Sequence, residues 1–135
     1  MYLTDKVSSI ISLLCGDEYF EDKKVIAAFP FAYKPTRFGK IIVTVSPHGI
    51  EAENISAGGH CLYGKASVSV DVFVPHETGS SVVNDVIEHI IDAVADTRPC
   101  TIKVSPVSSK DELSSYTASC VLTYKSLIEF GGNNG

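Results

Sequence analysis

The longest regular pattern of apolar and polar positions runs from Tyr63 to Ala95. Ala66, Val68, Val70, Val72 and Val74 alternate with Ser67, Ser69 and Asp71, and Phe73 is the one apolar residue out of step. Successive side chains on a strand point to opposite faces, so this predicts a strand with one dry and one wet side. Pro75 has no N–H to give a ladder, and pairing is expected to end there. Beyond the turn at His76-Glu77-Thr78-Gly79 the period changes. Val82, Val83, Val86, Ile87, Ile90, Ile91 and Val94 share one half of a helical wheel, with Asn84, Asp85, Glu88 and Asp92 on the other. Such apolar side chains are worth roughly 1.5–3 kcal/mol each when buried. Valine and isoleucine are mediocre helix formers, so packing has to hold this helix.

The rest of the chain builds around that unit. Leu3, Val7, Ile10, Ile11 and Leu14 predict a short amphipathic first helix, capped by Thr4 or Asp5 and stopped by a left-handed Gly16. Its other face carries Ser8, Ser9 and Ser12, read as a solvated face. Asp17 to Lys24 reads as a charged linker. Lys24 to Phe31 predicts a strand, with Pro30 near its end. A loop rich in Pro and Gly follows, and Gly39 to Ser46 is expected to pair back as a hairpin ended by Pro47-His48-Gly49. Ile50, Ala52 and Ile55 can extend an edge strand, before a turn at Ala57-Gly58-Gly59-His60. After the second helix, Thr97-Arg98-Pro99 breaks the chain. Cys100 to Val107 predicts a strand with Ile102 and Val104 inward, and Ser108 to Glu112 a polar turn. In the last strand Tyr116, Ala118, Cys120, Leu122 and Tyr124 share one face. The expected fold class is therefore α+β: a two-layer sandwich, a mainly antiparallel sheet with two helices packed on one face, in the order α-β-β-β-α-β-β.

Composition narrows the function. A chain of 135 residues with 44% hydrophobic residues fits one domain, taken as residues 1–130, with 131–135 a tail that has nothing to bury and is expected to be disordered. The formal net charge of −5 argues against nonspecific binding to nucleic acid through a global positive field. The N-terminus lacks the features of a signal peptide, and no apolar run is long enough to span a bilayer, so a soluble cytoplasmic protein with no membrane partner is the expectation. Cys15, Cys61, Cys100 and Cys120 form no CxxC pair. Reduced thiols are expected, the alternative being two disulfides in one of three connectivities. Cys120 alternates with Ala118 and Leu122 and reads as a small buried hydrophobe.

Candidate chemistry is sparse. His48, His60, His76 and His89 sit at turns or on a helix edge, and His60-Cys61 is the one His/Cys adjacency. Neighbours on an extended chain point apart, which suits neither shared metal ligation nor thiolate activation. No phosphate-cradling loop, zinc-protease, serine-hydrolase or calcium-loop motif occurs. Asp85, Glu88 and Asp92 line a helix face and read as solvated. No catalytic, metal or cofactor residue is therefore expected. Lys34, Arg37 and Lys40 lie among Tyr33 and Phe38, a mixture that can bind nucleic acid by phosphate contact and stacking, although three cations on an acidic chain favour an arm that touches a protein neighbour.

The order of elements, the strand Tyr63–Pro75 running through a Gly-containing turn into the helix Ser80–Ala95, and the Tyr116–Tyr124 strand together resemble the tail-terminator (tail-completion) proteins of long-tailed phages and contractile bacteriocin particles. The resemblance covers residues 3–130 as a pattern and includes no diagnostic residue. It implies a non-enzymatic α+β subunit, without cofactor, that closes into a hexameric ring on the end of a tail tube. Its partners would be copies of itself and the tail tube protein, with sheath, collar or neck proteins beyond. It would be cytoplasmic during assembly and then part of the particle. In that reading Tyr33, Lys34, Arg37, Phe38, Lys40, His60, Leu62 and Tyr63 belong to loops that contact neighbours. The alternatives are another head–tail connector of the same particle, a small-molecule-binding or Cys/His-dependent α+β enzyme domain, and a nucleic-acid binder using Lys34, Arg37 and Lys40.

Overall fold

A computed structural model of the chain describes residues 2–27, 40–54 and 61–129. Two α-helices and a six-stranded mixed sheet make up the described residues: α1 (Tyr2–Cys15), β1 (Lys24–Ala27), β2 (Ile42–Asn54), β3 (Cys61–Pro75), α2 (Ser81–Val94), β4 (Thr101–Val104), β5 (Ser108–Lys110) and β6 (Ser115–Glu129). The sheet order is β1-β2-β3-β6-β4, and β5 pairs with β6. The helices lie against one face: α1 packs chiefly on β1, β2 and β3, and α2 on β3 and β6. The α+β sandwich is thus as the alternation predicts.

The dry face of the central strands forms the core. Val43, Val45, Ala66, Val68, Val70, Val72 and Val74 are buried, and so are Ala118, Cys120, Leu122 and Tyr124. Register brings them together: Val68 lies across from Leu122, Val70 from Cys120 and Val72 from Ala118. Above them sit Val83, Val86, Ile87, Ile90 and Val94 of α2, and Val7, Ile10 and Leu14 of α1. Tyr124 fastens the layers at one end. Its hydroxyl is 2.7 Å from Thr97 Oγ1, which donates to the Val94 carbonyl. The Lys6 ammonium stands 4.3 Å from the centre of its ring.

Several local expectations are corrected. α1 begins at Tyr2, which puts Thr4 and Asp5 inside the helix. Gly16 is not left-handed; its N–H and that of Asp17 close the last turn onto Ser12 and Leu14. The expected charged linker folds. The Asp17 carboxylate accepts the Tyr19 N–H and caps a 3-10 turn, Glu18–Phe20, which buries Phe20 in the core. The hairpin expectation fails because β1 runs parallel to β2, with Val25 beside Val43. Alternation sets which face a residue takes and is silent on strand direction. β2 does not stop at Pro47-His48-Gly49. Pro47 pairs with Val68 and Gly49 with Ser67, so His48 is an extra residue in a bulge that absorbs the proline and lets the strand run on. The expected polar turn after Val107 contains a short strand, Ser108–Lys110. Val104 is 45% exposed because β4 is the edge strand and α2 packs on β3 and β6.

Pairing ends at Pro75 as expected, and Gly79 (φ 103°) makes the turn into α2. The expected disordered tail lies outside the described residues. Among those residues, no helix is long and apolar enough to cross a membrane.

Ile90 is fully buried, whereas Leu13 on α1 is 37% exposed. Ile90→Ala is expected to lower unfolding free energy by about 2–5 kcal/mol. Leu13→Ala is expected to stay within about 0.5–1 kcal/mol of the parent. Urea titrations of both variants check the contrast.

Candidate interaction surface

The wet positions of the alternating strands form the sheet face turned away from the helices. Cross-strand register orders them in rows. Glu51, Lys65 and Lys125 make one row, and Gly49, Ser67, Thr123 and Thr101 the next. Ser46, Ser69, Val121 and Lys103 follow. The bulge at His48 and the edge strand β4 border a shallow concavity of about 480 Å³ here, with Lys65, Ser67, Lys103 and Thr123 in its lining. The Ser67 and Thr123 hydroxyls are 3.0 Å apart and bridge β3 to β6 along its floor.

The two ends of this face differ. Lys65 and Lys125 at one end and Lys103 on the edge strand are exposed, while Ile42 and Thr44 toward the other end are buried, as is Ser69 in the row of Lys103. Ser69 donates to the Asp71 carboxylate at 2.9 Å. None of the three lysines makes an ion pair with a described residue; the Lys23–Asp22 pair lies elsewhere. Ammonium groups over a hydroxyl ladder suit a partner that carries carboxylates or other hydrogen-bond acceptors.

Of the residues expected at an interface, Tyr33, Lys34, Arg37, Phe38 and His60 lie outside the described residues. Lys40 is exposed just ahead of β2. Leu62 and Tyr63 were expected in a loop arm and are instead part of β3. Their backbones are paired with Asn54 and Glu53 on one side and with Ile128 and Leu127 on the other. The hairpin arm therefore gives way to a continuous sheet at these two positions. The basic group that the fold does assemble, Lys65, Lys103 and Lys125, is spread over three strands and escapes a reading in sequence windows. Its signal was the wet register: Lys65 and Lys125 extend the polar phase of two alternating runs.

The other polar clusters are small. The His89 ring stacks on Tyr19 at 3.5 Å, and the Lys23 ammonium lies 4.0 Å from the Tyr19 ring centre. Burial, then the charges of Asp85 and Asp22, raise the Tyr19 phenol above its ordinary value. The hydrogen bond and charge of Lys23 hold the Asp22 carboxyl below the usual carboxylate range. At the far end of the sheet, His76 Nε2 is 2.9 Å from Ser109 Oγ, which donates to Asp111 at 3.4 Å. Here the carboxylate meets the serine, whereas a serine–histidine–carboxylate relay needs it on the other imidazole nitrogen. Among the described residues, no three His, Cys, Asp or Glu side chains gather as metal ligands. Cys15 and Cys100 are exposed free thiols, and Cys120 is the buried hydrophobe that the alternation predicts. Burial pushes its thiol up to about 11.

No protein-family model matches the chain, and no curated protein matches it.

Cys120 supplies a pH test. Folding favours its protonated form, so its contribution is complete below the ordinary thiol value of 9.0 and is lost as pH rises toward about 11. Stability measured by urea titration should fall across that window, and Cys120→Ala should flatten the fall. In the native protein near pH ~8, a thiol reagent should modify Cys15 and Cys100 quickly and Cys120 only after unfolding. Mass spectrometry of labelled peptides separates the sites.

Proposed function

We propose that this chain is a ring-forming structural subunit that caps the tail tube of a phage or phage-tail-like particle, ends tube growth and offers a docking face to the neck. The observation that carries the reading is the slab itself. Two helices cover one face of a long-stranded sheet, and the other face presents exposed lysines and hydroxyls around a shallow concavity. A subunit with two unlike broad faces is suited to heterologous contacts, the kind that close a ring when the rotation between copies permits.

Copies of the chain and the tail tube protein are the first partners in this reading, with sheath, collar or neck proteins as further ones. The subunit acts by fit, without catalysis or cofactor. It assembles from the cytoplasm and remains in the particle. A head–tail connector of the same particle would use such a slab in the same way.

Electron microscopy of particles made without the chain separates the two. Tubes of irregular, excessive length, restored to uniform length by supplying the chain, are the expected outcome. Tails of normal length that lack heads would overturn the capping role in favour of a connector.

A further inference from the structure

We infer that the exposed basic part of the open sheet face, from the Lys65–Lys125 pair to Lys103 on the edge strand, receives the acidic outer face of α2 from a second copy of this chain. The inference rests on the ring-forming reading above and names the two faces that meet.

Each face is electrostatically unbalanced within its own chain. Lys65 stands directly across from Lys125 in the β3–β6 register. Like charges opposed in this way destabilise a sheet. Glu51 is the neighbour of Lys65 on β2, yet none of the three lysines is ion-paired with a described residue. On α2, Asp85, Glu88 and Asp92 are exposed at spacings of three and four residues, where like charges repel. Asp92 and the following Asp96 also crowd the C-terminal end, where the helix dipole is already negative. Lys23, drawn beside α2 by the Tyr19–His89 stack, is held by Asp22.

The two excesses have opposite sign and lie on opposite sides of a two-layer slab. One chain cannot bring them together, whereas head-to-tail contact between copies does. The dimensions agree. α2 has 14 residues and is about 21 Å long. Lys103 pairs with Val121, four residues or about 14 Å along β6 from Lys125, so the lysines spread over a length that the helix covers.

Charge reversal tests the pairing in solution. One variant carries Lys65→Glu, Lys103→Glu and Lys125→Glu; the other carries Asp85→Lys, Glu88→Lys and Asp92→Lys. All six positions are exposed, and circular dichroism verifies that each variant folds. In sedimentation equilibrium the native chain is expected to self-associate at low salt, and to weaken at least about tenfold between about 50 and 500 mM NaCl. Each variant alone should associate at least about tenfold more weakly than the native chain, and an equimolar mixture should regain affinity within about threefold, since the reversed faces complement each other.

A native chain that stays monomeric at low salt, a variant that associates as the native chain does, or a mixture that fails to recover would each overturn the pairing. Association that persists through both reversals leaves ring formation by other faces standing. The tube-length experiment judges the capping role separately, so the two can fail independently.

Discussion

The antiparallel pairing of β3 with β6 is the constraint on which the rest of the molecule depends. These are its two longest strands, and they are matched along their whole length. The register puts Val68, Val70 and Val72 beside Leu122, Cys120 and Ala118, all on the side the helices cover. A shift of β3 by one residue would turn Val68, Val70 and Val72 to the wet face and bring Ser67, Ser69 and Asp71 beneath α2. Burial of the dry row therefore fixes the register. The register in turn fixes which polar residues become neighbours on the opposite face, so the candidate surface is a by-product of core packing.

That dependence explains what could be read from residues alone. The strand at Ala66–Val74, the helix at Ser81–Val94 and the inward face of Tyr116–Tyr124 are strongly periodic, and one burial direction satisfies each of them. Elements held by tertiary partners were harder to see. Phe20 lies in a stretch dominated by charge, and its burial depends on a cap from Asp17 that creates no periodicity. Pro47 is ordinarily a stop signal, yet β2 continues because a bulge absorbs it. The parallel pairing of β1 with β2 is invisible to alternation, which is the same for both directions.

The candidate surface was legible only in part, for a related reason. Reading for clusters within a window drew attention to Lys34, Arg37 and Lys40, neighbours in sequence. The fold builds its exposed basic group from residues distant in sequence: register sets Lys65 across from Lys125, and Lys103 lines the same concavity as Lys65 from the edge strand. The wet face is also less uniform than alternation implies. Thr44 and Ser69 are as polar as Ser67 and Thr123, yet they are buried while the other pair remains partly open to solvent. Polarity alone does not report which end of a polar face meets water.

The sign and placement of charge also bear on the symmetry of any assembly. A two-fold dimer sets the same patch of both partners face to face. Across the open sheet that would oppose lysine to lysine, and across α2 it would oppose carboxylate to carboxylate, at close range and with water partly excluded. Both arrangements are repulsive. Of contacts through these two faces, only one between unlike faces removes the repulsion, and it leaves the pair with one free face of each sign. Further addition would then give a ring where the rotation per copy closes the circle, and an open filament where it does not. Under the proposed pairing, the charge pattern therefore disfavours a two-fold dimer through either of these faces and favours the head-to-tail geometry that a ring requires.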